Sequence, residues 1–206
     1  MEPPDPASTL SDDDQLSLWV GRVARVHALL EYNLSNLHGA LRPPGLPVVR
    51  STLPASVDLL VDECRKLLET TELNPEIITA GTQALSAAKA ANAERNRVVH
   101  DMWLPDPGSE AGKSPTWQAF RRLGRSRPYA SSTLHNLDTV MSAHTNLVRS
   151  RLRVSGLFMA LHEVLPWLSD ARRPHSATTQ LPRYIALMKD HFALEANGDY
   201  EIAETE

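Results

Sequence analysis

Six consecutive residues carry the strongest chemical signal in this chain: Arg95-Asn96-Arg97-Val98-Val99-His100. On a helix, at about 100° per residue, Asn96 and His100 stack on one face and Arg95 stands beside them. A guanidinium forks onto a phosphate with two parallel hydrogen bonds. An imidazole moves a proton near neutral pH. Those are the groups needed to break an RNA phosphodiester without a metal. His100 would take the 2′-OH proton or protonate the leaving oxygen. Arg95 would neutralise the charge that builds on the phosphoryl oxygens, and Asn96 would orient the imidazole or bond the phosphate. Arg97 points elsewhere on the helix and is a weaker candidate, for RNA backbone contact.

The same residues have plainer readings. Asn96 and His100 suit a solvent-facing surface. Arg95 can snorkel along an apolar face or pair with Asp62 or Glu63. His100 suits a helix C-terminus, where the dipole favours a cation.

A second feature lies at residues 105–130, a connection too long to be an idle link in a compact domain. Lys113, Arg121, Arg122, Arg125 and Arg127 alternate there with Trp117, Phe120 and Tyr129, and no acid occurs between Glu110 and Asp138. Aromatics among arginines suit single-stranded RNA, through stacking and phosphate contacts. The alternative is a solvated loop that Trp117 and Phe120 pin to the rest of the protein. A short helix over residues 116–123 and a hairpin both fit the stretch.

The elements that must position these groups read as helices. Ser11 or one of Asp12 to Asp14 caps a first helix that runs to about Leu41, with Leu16, Val23, Leu30, Leu34 and Leu37 on its apolar stripe. Pro43, Pro44, Gly45 and Pro47 end it. Ser56 or a neighbour starts a second helix through Leu60, Cys64 and Leu68. Asn74-Pro75-Glu76 is a strong start for a third, with Asn as cap, Pro in the first turn and Glu favoured by the dipole. That helix is expected to reach about Met102, with Ile78, Gly81, Leu85, Ala88, Asn92, Arg95 and Val99 on one face. Ser131 or Ser132 caps a fourth long helix that ends near Pro166 and that Gly156 can bend. Pro182 to Ala193 suits a short last helix. No internal repeat and no strand with convincing alternation stand out.

Composition agrees with helices. The chain has 206 residues, 42% of them hydrophobic and 5% aromatic, which suits one folded domain packed through aliphatic and small side chains. The single cysteine, Cys64, rules out an internal disulfide framework and a cysteine-based zinc site, and reads as a buried thiol. No apolar run approaches the ~18 residues of a membrane span. The acidic, proline-rich start suits neither a signal nor a transit peptide, so a cytoplasmic protein is expected. Residues 1–14 and 195–206 each carry five acids and no Lys or Arg; taking those ten from a net charge of −4 leaves +6 on residues 15–194. The acidic ends are either solvated or compete with a polyanion for the basic body. His162-Glu163 lacks the second His of a zinc-protease helix, and no glycine-rich phosphate loop occurs, so no metal or nucleotide cofactor is expected.

Arg-x4-6-His, with a polar residue directly after the Arg, is the signature of HEPN domains. Arg95, Asn96 and His100 resemble it, with four residues between Arg and His. Asp101-Met102-Trp103 is also similar to bacterial HEPN-type sequences, which often run on to an aromatic after the His. The resemblance in helix order covers about residues 14–165. It implies an all-α, four-helix-bundle-like fold, here with a long basic connection and a short C-terminal helix. The division expected is an acidic tail at 1–12, a helical domain at 13–168, a loop and short helix at 169–194 and a second acidic tail at 195–206. The resemblance further implies a homodimer whose two motif helices build one composite ribonuclease site. The RNA 2′-OH attacks the adjacent phosphorus and leaves a cyclic phosphate and a 5′-OH. A toxin or phage-defence setting, with an antitoxin or regulatory protein as partner, is part of what it implies. Two rivals stand beside this reading: the same fold binding RNA or a protein without cleavage, and a helical interaction protein in which the motif is accidental.

Overall fold

The computed structural model describes residues 10–42, 56–106, 115–120, 132–168, 180–194 and 200–202. Among them helix dominates. The order is α1 (Asp12–Ala40), α2 (Val57–Thr70), α3 (Pro75–His100), β1 (Met102–Pro105), β2 (Thr116–Phe120), β3 (Ser132–Asn136), α4 (Leu137–Val164), α5 (Leu181–Met188), β4 (Phe192–Leu194) and β5 (Tyr200–Ile202).

Side-chain caps set where the helices begin. Ser11 Oγ accepts the Asp14 N–H, Ser56 Oγ accepts the Leu59 N–H, and Asn74 Oδ1 accepts the Glu76 N–H. Each supplies an acceptor for an N–H that has no partner inside its helix, worth about 1 kcal/mol.

By contacts the chain divides into two compact units. The first comprises residues 1–27 and 93–147, the second residues 28–92 and 148–206. In the first unit β1, β2 and β3 form an antiparallel sheet in that order. Trp103 pairs with Ala119 and Ala119 with Thr133; Pro105 pairs with Trp117 and Trp117 with His135. Trp117 and Ala119 are buried, with Leu16, Val23, Val98, Val140, Ala143 and Leu147 completing the core of this unit.

The three-stranded sheet corrects the all-α expectation, though the fold remains mostly helical. Of the two alternatives for this stretch, a short helix and a hairpin, Thr116–Phe120 takes the second: it is a strand paired antiparallel with β1, and its burial alternates, with Trp117 and Ala119 inside. The cap expected at Ser131 or Ser132 is corrected with it. Ser132 opens β3, and Asn136 starts α4 by accepting the Thr139 N–H on Oδ1 at 3.1 Å.

In the second unit Leu30, Leu34, Leu37, Leu60, Val61, Leu68, Ile77, Leu85, Leu157 and Leu161 are buried. Gly81 lets helices come close: a Cβ there would lie 2.9 Å from both Leu157 Cδ1 and Leu68 Cδ2. Ile77 rather than Ile78 faces the core. Arg149 and Arg153 of α4 hold the end of α5. Arg153 Nε donates to the Met188 carbonyl, and Arg149 donates to Asp190 Oδ1 and to the Phe192 carbonyl. The last helix therefore stops at Met188 rather than Ala193. Asp190 turns the chain with a φ of 65°, and β4 follows. Three residues of the segment read as an acidic tail, Tyr200–Ile202, pair antiparallel with β4.

The prolines at 43–47 and the charged stretches 1–9, 195–199 and 203–206 lie outside the described residues. No helix among the described residues is long and apolar enough to cross a membrane.

Candidate functional site

The third helix delivers the motif at its C-terminal end. It begins at the Asn74-Pro75 cap and closes at His100, after which Met102–Pro105 is extended and the Asp101 N–H makes a long 3.3 Å bond to the Arg97 carbonyl. Arg97 and His100 both fall in the last turn, where the helix carbonyls favour positive side chains. His100 and Arg97 are exposed; Arg95 and Asn96 are half-buried.

Three of the residues singled out by the motif meet. Arg95 Nη1 donates to Asn96 Oδ1 at 3.0 Å and lies 3.0 Å from His100 Nε2. A guanidinium only donates, so Nε2 is the acceptor and the ring proton sits on Nδ1. That tautomer carries at Nε2 the lone pair a general base uses. The Arg95 side chain, running toward the helix terminus, brings charge and base together in a single chain.

The flank of this helix is fixed by a polar contact that the motif does not signal. Asn146 of α4 donates to Glu94 Oε2 at 2.8 Å, which ties the residue preceding Arg95 to α4. Beside Asn146, one stripe of α4 (Asp138, Met141, Ser142, Thr145 and Asn146) lines an open depression of about 340 Å³.

Trp103, the aromatic that follows the His, is tied into the fold through both its N–H and its ring. Its indole N–H donates to the Val98 carbonyl at 2.9 Å, and its ring lies 5.3 Å from that of His135 on β3. Trp117 is likewise committed inside the fold. It is 2% exposed and its Nε1 donates to Asp13 Oδ1 at 3.3 Å, so this aromatic is not available to stack on a base.

The other RNA-contact candidates, Lys113, Arg121, Arg122, Arg125 and Arg127, lie outside the described residues. Among the described residues no group of three His, Cys, Asp or Glu side chains gathers as a metal site. Cys64 is buried, with Sγ 3.7 Å from the Leu34 carbonyl, and burial, with Glu63 adding to it, pushes its thiol up to about 12. A nucleophilic thiolate is therefore disfavoured there.

Compared with protein-family models, with curated proteins and with solved structures, the chain matches none.

Proposed function

We propose that this chain is a metal-independent endoribonuclease of HEPN type. The observation that carries the reading is the 3.0 Å approach of Arg95 Nη1 to His100 Nε2 beside an exposed imidazole. In this reading α1 to α4 make the four-helix bundle, and two chains bring their α3 termini together into one RNA site. His100 Nε2 takes the proton of the 2′-OH. The 2′ oxygen bonds to phosphorus while the P–O5′ bond breaks, and an imidazolium, that of the second chain's copy, returns a proton to the leaving oxygen. Arg95 holds the non-bridging oxygens as their charge grows. Arg97 meets the RNA backbone nearby. The setting that goes with this chemistry is a cytoplasmic toxin or phage-defence protein held in check by an antitoxin or regulatory partner.

A second reading has its own support. Arg95 Nη1 is already engaged by two acceptors of its own chain, which suits a site that binds RNA or a protein without turning it over.

Incubating the purified protein with RNA in EDTA separates the two. Cleavage that leaves a cyclic phosphate, and that disappears in His100→Ala and in Arg95→Ala, supports the nuclease. Salt-sensitive binding of intact RNA supports the binding module. Neither cleavage nor binding sinks both.

A further inference from the structure

We propose that the Arg95–His100 hydrogen bond is a latch that an incoming phosphate group opens. The inference rests on the reading that this site receives RNA phosphate, and it concerns how the site is switched on.

In the free chain the Nε2 lone pair of His100 is occupied by the Arg95 N–H at 3.0 Å. A base whose lone pair is so engaged cannot accept the 2′-OH proton. The bond must break before chemistry starts. A phosphate is the natural competitor. Its oxygens carry charge and match the planar fork of a guanidinium, so they accept hydrogen bonds from it more strongly than a neutral imidazole nitrogen does. The amide oxygen of Asn96, 3.0 Å from the same Nη1, keeps hold of the guanidinium while it turns from ring to phosphate. The phosphate can approach from solvent, since His100 and Arg97 are exposed at the end of the helix. Glu94, the acid preceding Arg95, accepts from Asn146, and half-buried Asp101 is the acid next to His100 in the chain. The result is a base that is covered in the free protein and uncovered by the group it is to act on.

Histidine 15N resonances of the full chain, followed while inorganic phosphate replaces chloride at constant ionic strength, test this directly. Without phosphate, His100 should carry its proton on Nδ1, with Nε2 a hydrogen-bonded acceptor. Phosphate should move the Nε2 signal saturably, while buried His38 stays still. Arg95→Met should abolish the response. Arg95→Lys, which keeps the charge without the fork, should respond at least about tenfold more weakly and covers the case in which Arg95→Met does not fold. A proton on Nε2 in the free chain, no saturable shift, or an undiminished response in a folded Arg95 variant overturns the latch. RNA cleavage measured on the same samples keeps the two proposals apart. Cleavage without a phosphate response overturns the latch alone. A phosphate response with intact RNA overturns the nuclease and leaves the latch standing.

Discussion

Trp103 holds the last turn of the motif helix: its Nε1–H donates to the carbonyl of Val98 at 2.9 Å. The helix ends at His100, so that carbonyl has no N–H of a further turn to bond. The indole takes the place of one and joins the helix terminus to β1.

Trp103→Phe keeps the ring and removes the donor. It should cost about 1–3 kcal/mol of stability, the penalty for a buried carbonyl left without its bond. Urea denaturation of the two proteins measures it. If the protein cleaves RNA, the same change should lower turnover more than RNA affinity, because the loosened terminus no longer sets His100 against Arg95. An unchanged denaturation midpoint would show that the indole bond does not support the turn.

Two glycines in long helices should respond oppositely to a methyl group. At Gly156 a Cβ would lie 2.8 Å from Leu187 Cβ and 2.9 Å from the Tyr184 carbonyl, atoms that cannot swing aside. Gly156→Ala should therefore destabilise by about 1–3 kcal/mol as α5 is forced off α4. Gly21 has nothing within 4 Å of that position. Gly21→Ala should stabilise by up to about 1 kcal/mol, the helix-propensity gain alone. Thermal unfolding of the pair decides, and equal shifts in one direction would contradict this account of α5 packing.

A pH effect follows from His144. Its ring centroid lies 5.3 Å from that of Trp19, the two rings 75° apart, and Arg22 lies over that Trp ring at 4.5 Å. Burial first, and the Arg22 charge second, hold the imidazole below the ordinary histidine value. The unfolded chain therefore binds the proton before the folded one does. This group's contribution is complete above about pH 6.5, the unfolded value, and is lost as pH falls from there through the lower folded value. His144→Gln should lose less stability than the parent between about pH 7.5 and 5.5, a span that brackets the unfolded histidine value. Denaturation curves at the two pH values measure the difference, and parallel losses would mean that His144 does not couple to folding.

What was legible in the chain, and what was not, follows from how far each signal reaches. The caps at Ser11, Ser56 and Asn74 were legible because a cap acts within three residues. The Arg95, Asn96 and His100 cluster was legible because one helix carries all three. The sheet was legible only as one of two alternatives, a hairpin beside a short helix, since its strands are four and five residues long and β1 ends in a proline. Pairing between Trp103 and Ala119, or between Trp117 and His135, depends on residues distant in the chain. The alternation of Thr116 to Phe120 was the available clue, too short to decide between helix and hairpin. Gly156 looked like a bend in α4. Its purpose, the close approach of α5, depends on a segment about thirty positions later.

Cys64 gives the protein a built-in timer. Its side chain is fully buried and its thiol is the only one in the chain. A disulfide reagent such as dithionitrobenzoate can reach it only when α2 opens, so the release of colour would follow that opening, and at saturating reagent its rate would be the opening rate. Added urea should quicken that release in step with loss of helix. An immediate reaction in the native protein would mean that α2 breathes freely, and the clock would then time α2 alone.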